Sequence, residues 1–175
     1  MTDAAASVMA TIAAAITELR SSGARTETLA EYRPAHRLLL IPWPAKFVMV
    51  CPVWRLGVVL LTRDGALFAT GAVTRARDPK HPNYTSVSGE ERRELREAAR
   101  KAGFSNHDTL NFDALPLPLD DTLGKLGPLV LRDGELTVSW NASRSPETLR
   151  PFASYLRERV ELAAAPPEGA GETDR

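Results

Sequence analysis

Two stretches, Leu60-Leu61-Thr62-Arg63-Asp64-Gly65-Ala66-Leu67 and Val130-Leu131-Arg132-Asp133-Gly134-Glu135-Leu136, set the same dipeptide between apolar, β-prone runs. A type I′ hairpin turn requires positive φ at both central positions, and Asp-Gly meets that requirement at little steric cost. The pair therefore predicts two antiparallel hairpins. With helical periodicity at both ends of the chain, the expected class is α+β: a mostly antiparallel sheet of about five to seven strands with N- and C-terminal helices packed on it.

The two hairpins differ in pattern. Counting outward from Asp64-Gly65 pairs Leu61 with Phe68, Leu60 with Ala69, Val59 with Thr70, Val58 with Gly71 and Leu56 with Val73, in strands at 54–62 and 66–75. Both faces are apolar, which places this hairpin centrally, covered on both sides. Gly57, Ala69 and Gly71 leave shallow places for a close neighbour, with the first helix as natural occupant and a ligand as the alternative. In the second hairpin Leu129, Leu131, Leu136, Val138 and Trp140 share one face, while Val130, Arg132, Glu135, Thr137 and Ser139 share the other. One buried and one largely wet face place it nearer the sheet edge.

At 175 residues the chain is long enough for a full core. Residues 1–164 read as a single α+β domain and 165–175, rich in Pro, Gly and acid, as a disordered tail. The first helix spans about 3–22, its stripe formed by Val8, Ile12, Ile16 and Leu19 and its end marked by Gly23. Residues 24–35 read as polar linker closed by Pro34. Strands follow at 36–41 and 47–50, separated by Pro42-Trp43-Pro44, with Cys51-Pro52 ending the second. After a loop at 76–87, a helix at about 89–102 carries the capping box Ser88-x-x-Glu91 and ends at Gly103, with Phe104 folding back on Ala99. A short strand at 109–113 and a polyproline-like stretch at 115–119 precede the second hairpin. The last helix carries Leu149, Phe152, Ala153, Leu156, Val160 and Ala163 at helical spacing, with Ser145-Pro146 as a cap and N1 pair. Pro151 forces it either to kink early or to start near that proline.

Composition excludes several classes. Cys51 is the only cysteine, so neither an intramolecular disulfide nor a multi-cysteine zinc cage is available. No apolar run reaches the roughly 18–20 residues needed to span a bilayer. The apolar segment from Ala4 to Ile16 follows Asp3, with no cation before Arg20, unlike a signal peptide. A cytoplasmic protein without a membrane partner is the expectation. The formal net charge of zero disfavours strong non-specific DNA binding. Charge is unevenly placed all the same: residues 1–107 hold 15 Lys/Arg against 10 Asp/Glu, and residues 108–175 hold 7 against 12.

No Gly-rich phosphate loop, G-x-G-x-x-G or G-x-S-x-G occurs, and no cofactor is expected. His36, His81 and His107 form no local metal motif, and no metal site is expected. Cys51, among Val48, Met49, Val50 and Val53, reads as an inert buried thiol. The chemistry-bearing cluster is basic. Arg75, Arg77, Lys80, His81 and Tyr84 lead from the first hairpin into the charged helix, where Arg92, Arg96 and Arg100 recur every fourth residue with Arg93 beside them. Such a row suits an anionic ligand or partner, with Tyr84 available to stack on a base. The competing reading is a solvated face neutralised by Glu90, Glu91, Glu94 and Glu97. Of the tryptophans, Trp140 alternates with core residues, and Trp43 in its Pro-Trp-Pro turn is the better candidate for exposure.

The stretch from Val53-Trp54-Arg55-Leu56-Gly57 through Ala69-Thr70-Gly71, with Arg157-Glu158-Arg159-Val160-Glu161-Leu162, resembles a family of small uncharacterised bacterial proteins. Some relatives carry a glutaminase label. Serine-dependent glutaminases use a Ser-x-x-Lys motif on a much larger fold, and this sequence has none, so the resemblance implies a compact bacterial protein without an assigned active site. The leading functional expectation is a non-enzymatic binding or accessory module with a basic surface at 75–100. The alternative is a small hydrolase or transferase whose site assembles in space near Cys51 or His81, its catalytic residues unassigned. A homodimer formed through Trp43 or the second hairpin's edge is the remaining option.

Overall fold

The computed structural model describes residues 3–38, 41–76, 87–106, 108–140 and 148–165. The elements are, in order, α1 (Asp3–Ser21), β1 (Glu27–Arg33), β2 (His36–Leu38), β3 (Ile41–Trp43), β4 (Lys46–Leu56), β5 (Val59–Thr62), β6 (Leu67–Ala69) and β7 (Ala72–Arg75). They continue with α2 (Val87–Lys101), β8 (Thr109–Phe112), β9 (Leu115–Leu117), β10 (Leu129–Arg132), β11 (Glu135–Ser139), β12 (Leu149–Pro151) and α3 (Phe152–Ala164). The fold is α+β. Seven strands form a mostly antiparallel sheet in the order β7-β8-β1-β4-β5-β6-β9, with β1 and β8 parallel. A second sheet runs β10-β11-β12, and β2 pairs with β3 alone.

Two compact units make up the chain: Met1–Thr26, Trp54–Ala69 and Leu115–Arg175 form one, and Glu27–Val53 with Thr70–Ala114 form the other. In the first, α1 contributes Ala5, Val8, Ile12, Ala15 and Leu19 to the core, and α3 contributes Phe152, Tyr155, Leu156 and Val160. Gly23, at φ +66, closes α1 while the Ala24 N–H donates to the Leu19 carbonyl at 3.0 Å, the expected glycine cap. Pro151 stands at the N-cap of α3, so Leu149 lies in β12, opposite Ser139, and not in the helix. The stretch at 115–119 also departs from expectation. Residues 115–117 pair with β6 as an outer strand, where Pro116 faces Phe68 and its missing N–H is tolerated.

The expected long central hairpin is divided. Gly57, at φ +67, turns the chain between β4 and β5, and such a short connection joins antiparallel neighbours. At Asp64-Gly65 the observed register is Val59↔Ala69, Leu60↔Phe68 and Leu61↔Leu67, one residue away from the expected pairing. The loop is the reason. Thr62 and Ala66 close it, with the Thr62 N–H donating to the Ala66 carbonyl at 3.0 Å, leaving Arg63, Asp64 and Gly65 as the turn. The second hairpin pairs as a two-residue Asp133-Gly134 turn requires, from Leu129↔Val138 to Arg132↔Glu135. It forms the smaller sheet, not the margin of the larger one. There β12 pairs with β11, and the face expected to be wet is divided: Arg132 and Glu135 beside the turn are exposed, whereas Thr137 and Ser139 are buried.

In the second unit, Ala30, Phe47, Ala76, Ala98, Ala99, Leu110 and Phe112 form the core. The rings of Phe47 and Phe112 meet edge-on at 5.2 Å, with Tyr32 5.0 Å from Phe47. The polar stretch at 24–35 holds β1, which the sequence reading missed, flanked by β4 and β8. Nor does Cys51-Pro52 end β4: the strand continues to Leu56, with Val50 as the unpaired residue of a bulge between Leu29↔Cys51 and Ala30↔Met49.

Candidate functional site

The charged helix α2 is held by a narrow apolar stripe. Ala98 and Ala99 are buried, with Leu95 packed beside them, and the helix rests against β7. Small residues on that stripe let the helix approach the strands closely. The C-terminal end forms as expected. Gly103, at φ +88, donates its N–H to the Arg100 carbonyl at 2.9 Å, and the Phe104 N–H reaches the Ala99 carbonyl at 3.3 Å. At the other end the helix begins at Val87, one residue ahead of the expected Ser88 cap. The side chains of Val87 and Ser88 lie outside the described residues.

At about 100° per residue, Arg92, Arg96 and Arg100 follow one flank of the buried stripe, and Arg93 and Glu97 lie opposite the stripe. Glu90, Glu94 and Lys101 follow the other flank, and Glu91 continues the line of Leu95. The ion pair within the helix is Lys101 with Glu97, at 2.9 Å. Glu97's carboxyl is held below its ordinary value, chiefly by the hydrogen bond and charge of Lys101 and further by Arg93 and Arg100. Among the described residues, Arg92, Arg93, Arg96 and Arg100 have no ion pair or hydrogen bond. Among the described residues no glutamate therefore holds an arginine of the row in an ion pair, although the charges of Arg93 and Arg100 act on Glu97. Arg92 and Arg100 are exposed and Arg96 is half-buried.

The structure brings together only part of the basic cluster. Arg92, Arg96 and Arg100 share one flank. Arg75 ends β7 opposite Thr109, and strand alternation turns it away from Thr74 and Ala76, which are buried on the side that α2 covers. Arg77, Lys80, His81 and Tyr84 lie outside the described residues, as does His107.

Other candidates have structural occupants. Cys51 is half-buried opposite Leu29 and has a partner of its own. A Cβ on Gly57 would overlap the Tyr155 hydroxyl, and one on Gly71 would overlap the Phe112 and Asp113 carbonyls. Tyr155 of α3, not α1 or a ligand, thus fills the place at Gly57. Its hydroxyl accepts from the Val58 N–H at 2.9 Å and donates to the Leu56 carbonyl at 3.1 Å. Buried Asn111 donates to Glu27 at 2.7 Å. Among the described residues, no three His, Cys, Asp or Glu side chains could hold a metal ion, and no helix is long and apolar enough to cross a membrane.

The tryptophans divide differently from expectation. Trp54 is buried and donates to the Ala24 carbonyl at 3.1 Å. Trp140 is 51% exposed instead of lying in the core, with the Arg150 guanidinium 5.0 Å above its ring. Its place at the end of β11 carries it past the buried positions, a fact the alternation alone does not reveal. Trp43 is 46% exposed and stacks on His36, the ring centroids 6.0 Å apart. No family model, curated protein or solved structure matches this chain.

Proposed function

We propose that this protein is a binding module that docks an anionic ligand or partner on the arginine flank of α2. The observation that supports this reading is that, among the described residues, Arg92, Arg93, Arg96 and Arg100 make no ion pair or hydrogen bond, while Glu97 is paired with Lys101. Like charges four residues apart destabilise a helix by a few tenths of a kcal/mol. A bound anion would offset that cost. The rigid helix presents its cations at a fixed spacing, about 6 Å between successive arginines of the row. A linear polyanion or an acidic protein segment suits such a row; a compact single anion meets only one member of it.

Inorganic polyphosphate is a suitable probe. Titration of the full-length chain should show binding that weakens as salt rises. Replacing Arg92, Arg96 and Arg100 together by Gln should weaken it at least about tenfold and flatten the log–log salt slope by about 2, on the basis of about 0.7 per lost phosphate contact. Lys101→Gln, whose ammonium is already taken by Glu97, should change binding far less. Unchanged affinity and slope in the triple variant, with its helix content intact by circular dichroism, would refute the reading.

A further inference from the structure

The two outermost strands of the larger sheet, β9 and β7, are finished differently. β9 carries a proline at its centre, Pro116, a residue with no N–H to offer a further strand. β7 has no proline. Its hydrogen-bond phase follows from one contact. The Ala76 N–H donates to the Asp108 carbonyl at 3.1 Å, one step beyond the Arg75↔Thr109 pair of the antiparallel β7–β8 register. Positions 72, 74 and 76 therefore aim their backbone groups at β8, and Val73 and Arg75 aim theirs away from the sheet.

Those outward groups are unused. Among the described residues β7 pairs with β8 alone, and neither Val73 nor Arg75 has a hydrogen bond or ion pair on its outer side. The side chains divide by face. Thr74 and Ala76 are buried on the side that α2 covers, whereas Val73 is 50% exposed and Arg75 is exposed on the other. α2 rests on β7 itself, so a strand added to this edge would run beside the helix.

We infer that β7 takes an extended acidic segment of another protein as an added strand. Val73 and Arg75 exchange main-chain hydrogen bonds with alternate residues of that segment, which supplies affinity without regard to sequence. The side chains supply selectivity. Residues opposite each other in a ladder share a face, so the segment places a β-branched residue against Val73 and an Asp or Glu, two positions along, against Arg75. A second copy of this chain fits less well. The symmetrical antiparallel pairing that uses all the outward groups sets each Val73 against an Arg75 and brings the two guanidiniums together on one face, on the diagonal of the ladder. Arg75 thus works against self-pairing, as charges on edge strands do, and favours an acidic partner. This contact goes beyond the α2 reading and does not depend on it.

The test is an amide NMR titration of the isotope-labelled full-length chain with the capped peptide Thr-Glu-Thr-Val-Thr-Glu-Thr, which offers the pattern in either strand direction. In the free protein the Val73 and Arg75 amides should exchange rapidly with solvent, while Thr74 and Ala76 are protected. On titration the Val73 and Arg75 amides should shift downfield and become protected. A peptide with Lys in place of both glutamates should bind about fivefold more weakly. Val73→Pro removes one outward donor and leaves the β8 ladder intact, so it should weaken binding about tenfold with the rest of the amide spectrum retained. Should that variant fail to fold, Arg75→Glu supplies the second reading, because it should reverse the preference toward the Lys peptide. Val73→Pro should leave polyphosphate affinity unchanged, which separates this edge from the arginine flank of α2. The inference is overturned if the Glu peptide leaves the Val73 and Arg75 amides unmoved, or if the Glu and Lys peptides bind equally. Shifts at these amides that grow with protein concentration alone would overturn it as well, assigning the edge to a second copy.

Discussion

The two Asp-Gly turns contain the same dipeptide and are built differently. Asp133 and Gly134 both adopt positive φ, +49 and +81, between the paired Arg132 and Glu135, and a Cβ at Gly134 would meet nothing within 4 Å. This is the two-residue turn that the dipeptide favours on its own. At Asp64-Gly65 only the glycine has positive φ, +93, and the turn takes in Arg63 as well. Three neighbours account for it. The Thr62 hydroxyl accepts from the Ala66 N–H at 2.8 Å, Arg20 of α1 donates to the Arg63 carbonyl at 2.7 Å, and Ile12 lies 3.6 Å from where a Gly65 Cβ would stand. A turn left in solvent follows its dipeptide. A turn under a helix follows its surroundings.

Removing the Thr62 hydroxyl should separate the two most. Thr62 is 3% exposed, and Thr62→Val leaves the Ala66 N–H without that acceptor, a cost of about 1–3 kcal/mol by urea denaturation. The corresponding change beside the second turn, Arg132→Ala, removes only an exposed 3.7 Å pair with Asp133 and should cost less than about 0.5 kcal/mol. Equal losses at the two sites would break the comparison.

Alanine at the glycines comes next. Gly65→Ala and Gly134→Ala each force a Cβ into positive φ, at about 1–2 kcal/mol. Gly65→Ala should be the larger, because φ +93 lies well outside the left-handed well whereas +81 is closer to it. The reverse order would show that contact with Ile12 outweighs backbone strain.

The smallest effect is acid sensitivity. Asp64's carboxyl is held below its ordinary value of 3.8, first by a hydrogen bond from the Thr62 side chain and then by its own backbone N–H. A depressed folded value means that the stabilisation is present above the ordinary value and is lost as pH falls through the folded one. Asp64→Asn should therefore flatten the acid limb of the urea midpoint slightly, and a midpoint curve that coincides with wild type would remove Asp64 from the account.

Legibility followed the range of each signal. The caps at Gly23 and Gly103, the stripe of α1, the Phe152, Leu156 and Val160 part of the α3 stripe and the turn of the second hairpin all depend on residues a few positions apart, and all were readable. Leu149 lies in β12, Ala153 is exposed and buried Tyr155 was missed. β1 was not, because Glu27, Glu31 and Arg33 make the segment polar and only pairing with β4 and β8 makes it a strand. β9 was hidden by its prolines, which an outer strand accommodates. The arginine row was visible as spacing. That Glu97 pairs with Lys101 was not, because four residues of sequence separation do not say which flank holds the partner.

The α+β class, two hairpin positions and the helix ends were written in the chain. Each is a local preference, decided by the φ that a residue tolerates or the face that a period selects. Tertiary structure decided the turn at Asp64-Gly65, the existence of β1 and β9, the two separate cores and the exposure of Trp140. Those outcomes depend on groups far apart in sequence, whose contacts exist only once the backbone donors and acceptors between them have been satisfied by pairing.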